Sequence, residues 1–298
     1  MVKPVLTGAS LLPANTLLGR TARPASEFPG AQTVPLDYPG RRPESSYIYY
    51  DGAVSPLAEL GCSELTPSQL RLLDQALKDH GLTPCRERVA VLAVGSNACP
   101  GRLEEKFQGK DADAIIVLKG WISDVDSIYC AALANYGALP ATIALSPGTE
   151  VELWATLLTD AQARIMNRSE QLGEDYVLVS VNSAFRCGNG VIDSIYAYFD
   201  RRALSLEGRP VRVAAFDAHR PRHTALTQRE VLACVLDRLQ FKVGEPIEER
   251  HRALVAARGK IAELNAVLAS SLASSNYLGD VMVPADASKM QWVRWSSR

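Results

Sequence analysis

The chain has 298 residues, of which 47% are hydrophobic and 22% are charged, proportions that suit a globular protein with a substantial buried core. Its formal net charge of -1 gives no electrostatic basis for binding nucleic acid, so we expect a small-molecule or protein partner. No apolar stretch reaches transmembrane length. The apolar stretch near the N-terminus is interrupted by Pro13, Asn15 and Arg20, whereas a secretory signal needs a continuous apolar segment. We expect a soluble, cytoplasmic protein without a membrane partner.

The cysteines are widely spaced and form no CxxC pair. This spacing favours reduced thiols over a zinc site or a disulfide framework. The sequence contains neither a glycine-rich phosphate loop nor a dinucleotide-binding fingerprint. We therefore expect no metal and no cofactor.

The first 60 residues are rich in proline and glycine and show no sustained periodicity, which predicts an extended arm. The run Tyr47-Ile48-Tyr49-Tyr50 precedes an Asp-Gly turn signal and is expected to dock on the core. A capping box at Thr66 and a glycine at Gly81 then delimit a predicted helix. Arm and helix together make up a first segment, residues 1–85.

The central segment, residues 86–218, begins with the apolar run 89–94, which predicts a buried strand. This strand ends in Gly95, Ser96 and Asn97, whose backbone and side chains offer polar groups to a ligand. A short helix is predicted after this turn, and a second capping box opens a helix at Thr159.

The remaining apolar stretches of this segment predict strands joined mostly by short turns. They cover 114–118, 141–145, 151–158, 176–181, 191–199 and 211–216, with a strand or irregular segment at 121–136 and a turn at 146–148. Such an order favours an α+β fold with a mostly antiparallel sheet or small barrel.

The last segment, residues 219–298, changes to helical periodicity. A capping box at Thr227 predicts one helix, and Pro246 opens a predicted long helix with a seven-residue repeat of apolar residues. This seam, Ile247, Leu254, Ile261 and Leu268, suits packing on the core, a helical hairpin, or the contact of a homodimer.

The order of these motifs resembles the gamma-glutamylcyclotransferase family over about residues 89–216. The resemblance is carried by Gly95-Ser96-Asn97 after a buried strand, by the block from Ala141 to Val151, and by Glu170 shortly before Tyr176. It implies an α+β core of that type and an enzyme that cyclises a gamma-glutamyl amide or amine to 5-oxoproline.

Under this resemblance, Glu170 is the general acid/base, and Gly95, Ser96, Asn97 and Tyr176 bind the substrate. Two positions depart from the family pattern: Val94 stands where tyrosine is usual, and Gln171 where glycine is common. A non-catalytic ligand-binding or interaction protein on the same fold is the alternative function.

Other residue groups allow competing interpretations. Glu170 also suits an exposed helix end, and Glu174 and Asp175 lie close enough to be confused with it. Cys99 is a candidate nucleophile if a base lies beside it. The loop from His219 to His223 and the pair Asp124 and Asp126 resemble metal ligands, but each lacks further ligands in the sequence.

Overall fold

The computed structural model describes residues 17–174, 176–241, 245–276 and 278–297. Its helices are α1 Pro67–Asp79, α2 Pro100–Phe107, α3 Asp160–Ser169, α4 Gln228–Arg238, α5 Ile247–Ala256 and α6 Ile261–Ser271. Its strands are β1 Arg23–Pro24, β2 Tyr47–Tyr50, β3 Ala53–Pro56, β4 Val89–Ala93, β5 Ile115–Tyr129, β6 Ala141–Leu158, β7 Val177–Val181, β8 Phe185–Cys187, β9 Gly190–Ile192, β10 Ile195–Phe199, β11 Arg202–Leu206, β12 Arg209–Val213, β13 Ala218–His219, β14 Thr224–Leu226, β15 Ala273–Ser275, β16 Met282–Pro284 and β17 Trp295–Ser297.

The main sheet runs in the order β1, β3, β2, β5, β6, β4, β10, β7, β16. Only the contact of β4 with β10 is parallel in this run, so the class is α+β with a mostly antiparallel sheet. The small barrel expected from sequence is not observed, because no pairing among the described strands joins β1 to β16. These edge strands have two and three residues, and edges this short resist further pairing.

The long hairpin of β5 and β6 is the centre of this sheet, and it corrects two predictions. The strands predicted at 114–118 and within 121–136 are one strand, and the predicted turn at 146–148 lies inside β6. Residues 146–148 form part of a β-bulge in β6, opposite the point where the pairing register shifts between Ser123 and Val125 of β5. At this bulge the Gly148 N–H donates to Asp124 Oδ1 at 2.8 Å.

The smaller strands both confirm and correct the sequence predictions. The aromatic run of the arm forms β2, which pairs with β3 and β5 as expected for a docked strand. The single strand predicted at 191–199 is two strands, β9 and β10, which have different partners. The chain end also returns to the sheet, where β16 pairs with β7 and β17 with β9.

The three predicted capping boxes are present at Thr66, Thr159 and Thr227, so helices α1, α3 and α4 begin where the sequence indicates. The long helix predicted after Pro246 is instead two helices, separated by a 3-10 turn at Arg258–Lys260. The apolar seam is used within the chain, since Leu254 and Leu268 are fully buried. No helix in the described ranges combines the length and apolar character needed to span a membrane.

Arg88, just before β4, is buried in the core and connects its own segment to the loop before it and to the residues that precede β5. Its guanidinium donates to Thr83 O at 2.7 Å and to Ala114 O at 2.6 Å, and it forms an ion pair with Asp113 at 2.5 Å. The side chain is fully buried, so these contacts compensate for the loss of hydration. Arg88 therefore fixes how the chain enters β4.

We expect Arg88→Met to lower the free energy of unfolding by about 3–5 kcal/mol, because it leaves buried carbonyl groups and Asp113 without their partner. Urea denaturation measures this loss. Arg86→Met is the matched control and should change stability by less than about 0.5 kcal/mol, since its side chain is 56% exposed and its ion pairs are loose. Equal losses for both variants would contradict the role of Arg88.

Candidate functional site

A cavity of about 490 Å³ opens where β4 ends. Gly95, Ser96 and Asn97 line one side, and Glu170 and Tyr176 also line it, so all five residues singled out from the sequence face one space. A volume of this size lies in the range of small-molecule binding sites. The other side chains and loops of the wall are contributed by Gln32, Tyr38, Leu92, Val94, Arg102, residues 132–136, Pro140, Ala141, Ser169, Gln171, Tyr198, Asp200, Arg202 and Asn265.

The polar turn that follows β4 is held by its neighbours on both sides. Val94 O accepts a hydrogen bond of 2.6 Å from Ser127 Oγ, which anchors the end of the strand on β5. Residues Ser96–Ala98 then form a 3-10 turn, and α2 begins directly afterwards with Pro100 at its first position. The turn therefore lies in a fixed place between a buried strand and a helix.

Lys106 on α2 connects this turn to Glu170. Its Nζ donates to Asn97 Oδ1 at 2.7 Å and forms a short ion pair with Glu170 Oε1. The Lys106 side chain is 2% exposed and that of Glu170 is 16% exposed. Burial lowers the pKa of the Lys106 ammonium, and the Glu170 carboxylate opposes that shift. The turn and the carboxylate are thus joined through one buried cation.

Lys106 was not predicted from the sequence, although a signal for it exists. Leu103 and Phe107 lie four residues apart on the apolar face of α2, and Lys106 follows Leu103 by three residues on that same face. A lysine among buried positions needs an anionic partner. That pattern indicates a buried ion pair, but it does not identify the partner.

Glu170 ends α3, where its N–H donates to Met166 O at 3.0 Å. Of its two carboxylate oxygens, Oε1 is bound to Lys106, and no described residue donates to Oε2. The next residue, Gln171, has φ = 49° in the left-handed region, which explains why glycine suits this position better. Glu174 is exposed outside the cavity wall, and Asp175 lies outside the described residues.

Two tyrosines hold the Ala141 peptide at the cavity wall. The Tyr176 hydroxyl donates to Ala141 O at 3.2 Å, and the Ala141 N–H donates to Tyr38 Oη at 2.8 Å. Burial raises the pKa of both phenols well above 10. The sequence offered no signal for Tyr38, because it comes from the aperiodic arm and packs against Gly95.

The C-terminal helices support another part of the cavity wall. Asn265 on α6 accepts from Leu133 N at 2.7 Å and donates to Leu133 O at 3.0 Å. On α5, His251 Nε2 lies 3.0 Å from Tyr136 O. The loop that follows β5 is therefore shaped by a segment more than 100 residues away in the sequence.

The competing candidates occupy different environments. Cys99 is fully buried outside the cavity wall, donates to Phe28 O at 3.3 Å, and has its pKa raised by burial, which opposes a nucleophilic role. His219 stacks on Trp121 with ring centroids 4.6 Å apart, and Asp126 pairs with Arg212. Within the described ranges, no cluster of three or more His, Cys, Asp or Glu residues is arranged to hold a metal.

No family model matches the sequence, and no curated protein matches it. Among solved structures, an uncharacterized protein from Homo sapiens, loc79017, is similar at 15% identity, and a gamma-glutamyl cyclotransferase at 14% identity. Each match covers 65% of this chain and 94% of the other chain with a TM-score of 0.34, values that assign neither family nor activity.

We expect Lys106→Met to lower the free energy of unfolding by about 3 kcal/mol, because the Glu170 carboxylate then loses its counter-ion. Combining it with Glu170→Gln should cost less than the sum of the two single losses, with a coupling free energy of about 1–3 kcal/mol in a double-mutant cycle. Urea denaturation of the four proteins measures this quantity.

Lys110→Met is the control for this cycle. Lys110 is exposed and donates only to Lys106 O, at 2.9 Å, among the described residues. Its substitution should leave the effect of Glu170→Gln unchanged. Strictly additive losses for Lys106 and Glu170 would mean that their ion pair does not couple the helices.

Proposed function

We propose that this protein cyclises a gamma-glutamyl amide or amine to 5-oxoproline and releases the amine. The observation that supports this most is the linkage of Glu170 to the turn after β4 through Lys106, at the wall of one cavity. The motif order in the sequence, with its resemblance to gamma-glutamylcyclotransferases, supports it independently of that geometry.

The proposed reaction needs no outside reagent. The α-amine of the glutamyl group attacks the side-chain carbonyl, so a carbon–nitrogen bond forms and the ring closes. The amide carbon–nitrogen bond then breaks and the amine departs. The α-ammonium must lose a proton before attack, and the departing nitrogen must gain one, so a single carboxylate can perform both transfers.

Glu170 suits this role because its Oε1 is held by Lys106 while its Oε2 has no donor among the described residues. The fixed carboxylate can therefore take a proton from the substrate without first breaking an internal contact. In this proposal the backbone N–H groups of Gly95, Ser96 and Asn97 stabilise the oxyanion that develops on the attacked carbonyl.

The flanking segments have a part in the same proposal. Residues 86–218 are the catalytic core, and the segments 1–85 and 219–298 complete the cavity through Tyr38 and Asn265. Both side chains lie in the cavity wall. The flanking segments would then restrict which amines fit beside the glutamyl group.

A binding protein without catalysis is the second candidate. It is favoured by the ion pair itself, because pairing with a buried lysine already explains why a carboxylate stands at the cavity wall, without any catalytic role. The two candidates differ in whether a gamma-glutamyl compound is converted or merely retained, which a product assay distinguishes.

We expect Glu170→Gln to reduce the turnover number for 5-oxoproline release by about 10²–10⁴ while gamma-glutamyl compounds still bind, because an amide cannot shuttle the proton. Product release is measured with gamma-glutamyl dipeptides, gamma-glutamylamines and glutathione, and binding by calorimetry. Thermal unfolding confirms that the variant is folded at the assay temperature.

Glu174→Gln is the matched control and should retain full turnover, since Glu174 is an exposed carboxylate four residues further along the chain. Unchanged turnover in Glu170→Gln would exclude the acid/base role. Tight binding by the wild type with no product from any of these compounds would favour the binding protein.

A further inference from the structure

Tyr38 differs from most residues of the cavity wall because it belongs to the N-terminal arm and not to the central segment, residues 86–218. It follows the short 3-10 turn Pro35–Asp37, and its ring is buried against Gly95. The approach is so close that a Cβ atom at residue 95 would overlap the phenolic oxygen. The arm therefore places a hydroxyl group directly at the polar turn.

The hydrogen bonds of the two cavity tyrosines differ in direction. Tyr176 uses its hydroxyl proton on Ala141 O. Tyr38 accepts from the N–H of the same residue, so its own proton remains available, and no described residue accepts it. A phenol carries one donor and can accept as well, and the accepting side of Tyr38 is fixed by the backbone. The remaining donor lies at the cavity wall beside Gly95.

The surroundings of this hydroxyl suit a donor that keeps its proton. Burial raises the pKa of Tyr38 well above 10, so the phenol stays neutral at working pH. The Ala141 N–H orients the oxygen, and the packing against Gly95 limits movement of the ring. A preorganised donor in a partly dry cavity stabilises developing negative charge more than a mobile water does.

We infer that Tyr38 is a catalytic residue, whose hydroxyl donates a hydrogen bond to the oxyanion formed when the gamma-carbonyl is attacked. This inference rests on the proposed cyclisation and adds a side-chain donor to the backbone groups of the turn. The phenol transfers no proton; the negative charge collapses back when the amine leaves, and the hydrogen bond weakens again. The N-terminal arm is then part of the active site.

The test compares Tyr38→Phe with Tyr196→Phe. The Tyr196 hydroxyl also accepts a backbone N–H, that of Gln291 at 2.8 Å, and Tyr196 is equally buried but lies outside the cavity wall. Both variants lose the same type of hydrogen bond, so similar falls in melting temperature are expected. Only Tyr38→Phe should lower kcat for 5-oxoproline release, by about 10²–10³, with KM nearly unchanged.

The outcomes separate this inference from the proposed function. Turnover by the wild type with kcat unchanged in Tyr38→Phe overturns the assignment of Tyr38 and leaves the cyclisation intact. No turnover by the wild type overturns the cyclisation, and calorimetric titration with 5-oxoproline then decides on Tyr38. If Tyr38→Phe binds 5-oxoproline about threefold to tenfold more weakly than Tyr196→Phe does, the Tyr38 hydroxyl still acts as a hydrogen-bond donor to a carbonyl oxygen of the ligand. Equal affinities of the two variants would exclude that role.

Discussion

The geometry of the cavity depends on the contacts that the buried ammonium group of Lys106 makes. This group lies between the turn after β4 and the end of α3, two segments separated by about 70 residues, and contacts a polar group on each. A buried cation must keep its partners, because the alternative is an unpaired charge in an apolar interior. The distance between the turn and the carboxylate is therefore fixed by an electrostatic requirement as well as by packing.

The sheet supplies the second constraint on the site. Tyr38 and Tyr176 bond the N–H and the carbonyl group, respectively, of Ala141, the first residue of β6. Because Ala141 pairs with Tyr129 where the β5–β6 hairpin begins, its backbone groups have a fixed place in the sheet. A segment from the arm and a segment from after α3 are thus aligned on the same strand. Both phenols are therefore oriented by the backbone of a strand in the main sheet.

Local signals in the sequence predicted the parts of this fold that local physics determines. The capping boxes at Thr66, Thr159 and Thr227 define helix starts through contacts three residues apart, so no tertiary information is needed. Glu170 was singled out only through the resemblance of the motif order to a known family, and it lies in the cavity wall. Ser146, Pro147 and Gly148 were misread as a turn because a β-bulge uses similar residues, and only pairing with β5 distinguishes the two.

What the sequence could not provide are contacts between distant segments. Tyr38 lies in a stretch without periodicity, and its partner Ala141 is about 100 residues away. Asn265 reads as an ordinary polar position on a helix, although it binds both backbone groups of Leu133. Secondary-structure propensity and hydrophobic patterning depend on residues that are close in the sequence. They therefore cannot identify site residues that come from distant segments of the chain.

The ion pair also has a consequence for the direction of proton movement in the proposed reaction. When Glu170 takes a proton from the substrate ammonium, the carboxylate loses its charge and Lys106 remains charged in a buried position. That state is costly, because the buried ammonium then has only neutral partners among the described residues: the uncharged Glu170 carboxyl, the Asn97 amide oxygen and a methionine sulfur. The free energy falls again when Glu170 releases the proton. The departing amine accepts it at the moment its bond to carbon breaks, so Lys106 favours completion of the cycle over storage of the proton on the enzyme.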